Sequence, residues 1–275
     1  MNFLTTAPTQ GFPNLGNTCW LNSLLQTLIH NDLFSEMIKR LKFENGLTNT
    51  LRHFYVSDVN PVNILSYILN LWQTKIGYGI PQDSHEAVLW LLEELHNENK
   101  MASVVNETAN ELSKQLAKYN SNTTSSIYQL FQGVMTYTTS DGEVRYEPFI
   151  TFFLDCPARV ENFPINITDC FALTFERKKI VHMPGILLVC FERQDQGEFD
   201  LCTYFELADE KDSVIKFRLT GVVLHYGNQY GGHYIAFTDT SKGWLLFDDQ
   251  NVRPLNTNSS KVRGTPRLMV YERLE

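Results

Sequence analysis

Apolar residues recur every three or four positions near the start of the chain. Trp20, Leu21, Leu24, Leu25, Leu28 and Ile29 fall on one stripe, which predicts a helix. Asn17 or Thr18 is suited to cap it. The same spacing turns Val88, Leu91, Leu92 and Leu95 inward on a second helix, from Asp83 to about His96. A weaker helical stretch over 104–118 runs into the polar loop NSNTTSS. From about Ile127 the period changes. TYTTSDGEVRYEPFITFFL reads as a hairpin turning at Asp141-Gly142, and GILLVCFER, SVIKFRLTGVVLHY, GHYIAFTD, GWLLFDD and PRLMVYERL read as strands. Helices first and antiparallel strands second predict an α+β fold, with a mostly helical lobe over about 11–126 packed on a mostly β lobe over about 127–275. There is no repeat and no long linker, so residues 1–275 are expected to form a single domain. A cleft between two such lobes is a usual place for a site.

Composition narrows the function. The 275 residues are 43% hydrophobic and 20% charged, which suits a packed core and excludes a disordered chain. The net charge of -8 and the lack of a basic block make nucleic acid a poor partner. MNFLTTAPTQ has neither a positive nor an apolar region of a signal peptide. The longest apolar run, GILLVCF, suits a buried strand and is too short to span a bilayer, so no membrane association is expected. Five irregularly spaced cysteines do not make a disulfide framework. A reducing compartment follows, cytoplasmic or nuclear, and the N-x-S/T triplets at Asn106 and Asn122 are then chance matches.

Cys19 stands at the first turn of the predicted helix, in NLGNTCWLNS. The reactive form of cysteine is the thiolate, and the partial positive charge of a helix N-terminus favours it. Position alone also allows the plainer role of a small buried hydrophobe, the usual fate of a free cysteine. A nucleophilic thiol needs a base, and the base needs an orienting acceptor. His233, at the start of a strand behind two glycines in YGGHYIAF, and Asp248, at the end of WLLFDD, are candidates for those parts. Antiparallel strands joined by a turn would bring them side by side.

With these parts together, the sequence resembles the ubiquitin-specific protease family of papain-like deubiquitinases. GFPNLGNTCWLNSLLQ resembles the family's cysteine box, G-L-x-N-L-G-N-T-C-Y-M-N-S-x-L-Q, with Trp20 and Leu21 in place of Tyr-Met. PQDSHEAVLWLLEEL resembles the Q-Q-D-A-x-E-F helix, with Pro81 for the first Gln. LHYGNQYGGHYIAF followed by WLLFDDQNV resembles the histidine box. The three boxes run in family order from residue 11 to residue 252. The resemblance implies a papain-like cysteine protease fold, a helical thumb on an antiparallel palm.

The resemblance also implies roles. Cys19 would attack the carbonyl after the Gly-Gly of ubiquitin's tail, His233 would move the proton, Asp248 would hold the imidazole and Asp249 would support it. Asn14 would donate its amide to the oxyanion. Asp83 and Glu86 would face the two arginines that precede the Gly-Gly, since carboxylates hold arginine bidentately. Gly231 and Gly232 would leave a narrow channel for the tail, lined by His225 and Tyr234. No cofactor is implied. The partner would be ubiquitin or a ubiquitinated protein, and the protein a monomer. A protease for a related modifier (SUMO or NEDD8) would use the same chemistry. A non-catalytic ubiquitin-binding module would have lost a triad part, and none is lost here.

The chain departs from the family in its fingers. Many relatives hold zinc there with two C-x-x-C pairs. Here TTSDG takes the first pair's place, while Cys156 and Cys170 are 14 apart (170 − 156) and Cys190 and Cys202 are 12 apart (202 − 190). No zinc knuckle and shortened fingers are expected. HEAVL (His85–Leu89) lacks the second histidine of a zinc-protease H-E-x-x-H, so His85 is expected at the surface. Residues 97–126 look like an insertion. With almost nothing outside the domain, no targeting module is expected.

Overall fold

The computed structural model describes residues 6–42, 45–56, 60–76, 79–103, 111–157, 163–191, 197–208, 213–228, 231–255 and 261–274. The start of the helical stretch expected over 104–118 and the triplet at Asn106 lie outside them.

The first predicted helix is α1 (Cys19–Ile29), and every one of its residues is buried. The one-stripe reading is therefore corrected. The polar side of α1 does not face water but the N-terminal segment: Asn22 Nδ2 donates to the Pro13 carbonyl at 3.2 Å and Gln26 Nε2 to the Gln10 carbonyl at 2.8 Å. Buried amides are tolerated because they find such acceptors. Four further helices surround α1: α2 (Asp32–Arg40), α3 (Gly46–Arg52), α4 (Pro61–Leu71) and α5 (Ser84–Asn99). The side chains of Asn31, Asn60 and Asp83 cap α2, α4 and α5. Val88, Leu91, Leu92 and Leu95 of α5 are buried, as their spacing predicts. Glu98 reaches back from the last turn of α5 to the first turn of α3, where it accepts from Leu47 N–H (2.5 Å), Thr48 N–H (2.8 Å) and the Thr48 hydroxyl (2.7 Å). The strands β1 (Met101–Ala102) and β2 (Thr123–Thr124) pair around α6 (Glu111–Tyr119), and α7 (Ser126–Phe131) ends the helical half.

The hairpin at Asp141-Gly142 forms as predicted, with β3 (Gly133–Thr138) against β4 (Val144–Phe149) and Gly142 in the left-handed region (φ 86°). The rest of that stretch leaves it. β5 (Thr151–Leu154) joins the central sheet, parallel to β8 (Ile186–Phe191). Between them lie β6 (Ile165–Asn166), a helix absent from the sequence reading, α8 (Ile167–Phe175), and β7 (Lys178–His182), which completes the small β3–β4 sheet. The signal for α8 was present: Asn166 caps it, and Ile167, Cys170, Phe171 and Thr174 are buried at helical spacing. β9 (Gly197–Asp200) and β10 (Tyr204–Ala208) pair at the margins of the main sheet. Its centre is β11 (Val214–Asn228), β12 (Gly231–Thr240), β13 (Gly243–Asp248), β14 (Asn251–Pro254) and β15 (Lys261–Leu274), in the order β14-β13-β12-β11-β15-β8-β5.

Both faces of this sheet are covered, and the two-residue repeat of a strand sorts its side chains between two cores. Ile186, Leu188, Cys190, Val223, Leu268 and Val270 pack with the helices. Leu187, Val189, Val222, Leu224, Met269 and Tyr271 pack with α8 on the other side. That explains the unbroken apolar run in β8: alternate residues serve different cores. The α+β architecture matches the sequence reading, with the helical half laid on the sheet. α1 lies directly on β11 and β12, which puts its N-terminus beside the strand ends that carry the other candidate residues.

Candidate active site

The segment before α1 lies on the turn that follows β13. Phe12 N–H donates to the Asp249 carbonyl at 2.9 Å. A Cβ on Gly11 would lie 2.4 Å from the Gln250 carbonyl carbon, a contact that only glycine avoids. This close approach delivers Asn14 to the site. Asn14 Oδ1 accepts from Gly16 N–H (3.0 Å) and Thr18 N–H (3.2 Å), so its amide nitrogen points the other way and donates to Asp249 Oδ2 at 2.9 Å. Gly16 (φ 100°) and Asn17 (φ 56°) make the left-handed turn into α1.

Cys19 is the first residue of α1 and is 7% exposed. Thr18 occupies the cap position, but its hydroxyl accepts from Leu15 N–H instead of from the helix. The expected cap is thus correct in place and absent in bonding, and the Thr18 carbonyl, not its hydroxyl, accepts from Leu21 N–H (3.0 Å) and Asn22 N–H (2.9 Å). Two influences then compete at the thiol. Burial pushes it above the ordinary thiol range and the Asp249 charge pushes it further, while backbone N–H groups of Tyr234, Trp20 and Cys19 itself favour the thiolate. Burial is the largest of these. Burial thus opposes what the helix mouth favours at Cys19. A base must take the proton.

β12 and β13 are adjacent and antiparallel, with Ala236 opposite Phe247, and this register sets the start of one beside the end of the other. His233 Nε2 and Asp248 Oδ1 are 2.6 Å apart, with about two-fifths of each side chain exposed (42% and 40%). Tyr234, the residue after His233, meets the Cys19 thiol with its backbone N–H, as Trp20 and Cys19 itself do from α1. Asp249, held in a left-handed conformation (φ 51°), accepts from Asn14 with one oxygen and from Asn22 (2.7 Å) with the other. His233, Asp248 and Asp249 present donor atoms within 4.8 Å of one another and are the one group among the described residues dense enough to hold a metal ion. Protein donors already engage these carboxylates.

Asp83 caps α5 by accepting His85 N–H at 2.9 Å, and its other oxygen lies 3.3 Å from Arg267 Nη1. Glu86, in the first turn of α5, is exposed. His225 and Tyr234 face each other across β11 and β12 with ring centres 4.6 Å apart, and both are buried. Burial, then the neighbouring Arg267 charge, lowers the His225 pKa. Gly231 has open space around it, whereas a Cβ on Gly232 would lie 2.3 Å from the Tyr226 carbonyl and 2.4 Å from His225 Nε2. The second glycine thus accommodates the neighbouring strand of its own chain. His85 is not the surface residue that its sequence suggests: it bonds Thr151 Oγ1 at 3.1 Å and packs edge-on against Phe153. All five cysteines are free. Cys190 and Cys202 belong to opposite cores, so they cannot share an ion, while the Cys156 and Cys170 thiols touch.

The arrangement can deprotonate a buried thiol and offer amide donors to an anion next to it. A family model described as ubiquitin carboxyl-terminal hydrolase matches residues 10–271. The chain belongs to this family. It is 21% identical to ubiquitin carboxyl-terminal hydrolase 4 of Saccharomyces cerevisiae over 96% of this chain and 39% of that protein. It is 25% identical to ubiquitin carboxyl-terminal hydrolase 4 of Arabidopsis thaliana, over 88% of this chain and 84% of that one. The chain spans only 39% and 65% of two of the curated relatives it matches. The fold superposes on the structure of the SAGA Ubp8/Sgf11/Sus1/Sgf73 DUB module with a TM-score of 0.72 at 19% identity, covering 100% of this chain and 70% of that one.

Sequence reasoning missed Arg267, Asn22 and Gly11. Each left a trace: one of two cations in the strand PRLMVYERL, one of two amides in the first predicted helix, and a glycine two positions before a proline with no predicted turn.

Proposed function

We propose that this chain is a thiol-dependent deubiquitinase that hydrolyses the isopeptide or peptide bond after the C-terminal Gly-Gly of ubiquitin. The observation that carries the reading is the short His233–Asp248 contact of 2.6 Å, set beside a thiol that the backbone of the next residue, Tyr234, already meets. His233 takes the Cys19 proton, Asp248 orients and stabilises the imidazolium, and the thiolate attacks the glycine carbonyl. The Cys19 amide and the Asn14 side chain stabilise the oxyanion, where one donor is typically worth about 3 kcal/mol. The leaving amine takes its proton from His233, and water then hydrolyses the thioester. Asp249 acts through Asn14 and Asn22.

The relatives support this reading by their names, and a structure of the SAGA Ubp8/Sgf11/Sus1/Sgf73 DUB module holds ubiquitin aldehyde. The tail's track runs between the start of α5 and the Gly231–Tyr234 end of β12, with Glu86 exposed along it. The free thiols suit the reducing cytoplasm or nucleus, and no described helix is long and apolar enough to cross a membrane. The domain acts as a monomer, so light scattering of the purified chain should give its own mass.

The deciding experiment uses ubiquitin with a C-terminal electrophile. The wild type should gain one ubiquitin by mass, and Cys19→Ala should gain none. An adduct with SUMO or NEDD8 electrophiles but not with ubiquitin would replace the substrate. An adduct retained in Cys19→Ala would overturn the mechanism.

A further inference from the structure

Arg267 projects from β15 into the strip between α5 and the ends of β11 and β12. Its side chain is 11% exposed, its Nη1 is 3.3 Å from Asp83 Oδ2, and its Nε is buried without a hydrogen-bond partner. Asp83 is the only carboxylate with which Arg267 forms an ion pair among the described residues. The charges of both partners reach His225 and Tyr234, and the Cys19 thiol reaches Tyr234 as well. The ion pair is thus built into the approach to the nucleophile.

Asp83 has no oxygen left over. Oδ1 accepts the α5 amide and Oδ2 faces the guanidinium. An arginine on an incoming peptide would have to share Oδ2 with Arg267, setting two guanidinium charges side by side, or displace it. Displacement would strand a largely buried guanidinium, and an unpaired buried charge is costly enough to cancel the new contact. Glu86, exposed in the first turn of the same helix, carries no such partner among the described contacts.

We propose that Arg267 sets the specificity of the site by occupying Asp83, so that a basic residue in the substrate tail is read by Glu86 and contributes less to recognition than two free carboxylates would give. This rests on the deubiquitinase reading. Asp83 then serves as a helix cap and the anchor of β15 to α5, and the chain tolerates tails that lack arginine.

The test is hydrolysis of two fluorogenic ubiquitin amides, one with the native tail and one with both tail arginines replaced by leucine. They are compared in the wild type, Arg267→Met and Arg267→Lys. The quantity read is the ratio of kcat/KM for the two substrates within each variant, so a change in the folded fraction cancels. Arg267→Met should raise the preference for the arginine tail about fivefold to tenfold, chiefly through KM, as befits a new charge pair in a half-buried site. Arg267→Lys should keep the wild-type ratio, because it restores a cation beside Asp83. An unchanged or reduced ratio in Arg267→Met, or a raised ratio in Arg267→Lys, overturns the proposal while leaving the enzyme assignment intact. A wild type that hydrolyses neither substrate overturns both.

Discussion

Asn14 and Asp249 lie 235 positions apart in the chain, yet the Asn14 amide donates to the Asp249 carboxylate at 2.9 Å. The same carboxylate accepts from Asn22 of α1 at 2.7 Å. One side chain thus ties the segment before the thiol, the helix that carries it and the turn after Asp248.

If Asp249 acts by holding Asn14, removing either should slow chemistry more than binding. Asn14→Ala should lower kcat about a hundredfold, the typical effect of one oxyanion donor, with KM little changed. Asp249→Ala should lower it about tenfold and cost roughly 1–2 kcal/mol of stability through its lost hydrogen bonds. Steady-state kinetics decide the matter: a rise in KM with kcat intact would place both residues in substrate binding instead.

Gly11→Ala should disturb the site without touching it. The added methyl meets the Gln250 backbone at 2.4 Å, so the 10–14 segment must lift from the turn. A cost of about 2 kcal/mol is expected for such overpacking. The rate of adduct formation with electrophilic ubiquitin should fall in parallel. Unaltered thermal stability would show that the approach is looser than described.

Removal of Glu98 separates stability from chemistry. Its carboxylate accepts from Leu47, from the Thr48 amide and from the Thr48 hydroxyl at the start of α3, away from Cys19. Glu98→Ala should cost roughly 2–3 kcal/mol in denaturant unfolding, because the bonds are made by a charged acceptor. kcat/KM per folded molecule should stay within about twofold, since 0.4 kcal/mol or less would reach the transition state.

The thiol's pH response follows from its surroundings. Burial, and after it the Asp249 charge, raises the Cys19 pKa above 9.0. Alkylation of the free enzyme by iodoacetamide should therefore keep rising with pH through the ordinary thiol range. Asp249→Asn removes one of the raising causes and should speed the reaction near neutrality. A plateau already reached at neutral pH would show a preformed ion pair with His233.

Acid should destabilise the fold through His30. Its Nε2 is buried without a partner, and burial lowers its pKa from 6.5 to about 4. The unfolded chain binds the proton first, so the stability that neutral His30 contributes is complete above the unfolded pKa and is lost as pH falls from 6.5 to about 4. The total is roughly 3 kcal/mol. Unfolding free energies measured across that window should fall in the wild type and flatten in His30→Leu. Parallel slopes in the two proteins would refute the assignment.

Much of the fold was open to sequence reasoning because its cause is local. The inward positions of α5 follow from helical spacing, the Asp141-Gly142 turn from glycine's access to positive φ, and the β8 run from the need to fill two cores. Cys19, His233 and Asp248 were also legible as candidates, since each stands near the end of an element whose boundaries the pattern shows. α8 escaped because its short apolar run also reads as strand.

What the sequence alone determined is the change from helices to strands, the places of α1, α5 and the main strands, and the residue types that can do thiol chemistry, all properties of near neighbours along the chain. What only the tertiary structure decided is how these groups are partnered. Asp83 is joined to Arg267, Asp249 to Asn14 and Asn22, and Gly232 to His225, across separations that no periodicity encodes. The Cys19 proton is held by burial against the pull of the helix end, a balance that exists only once the sheet closes over α1. Desolvation and charge pairing depend on what surrounds a group in space, and that is settled by packing.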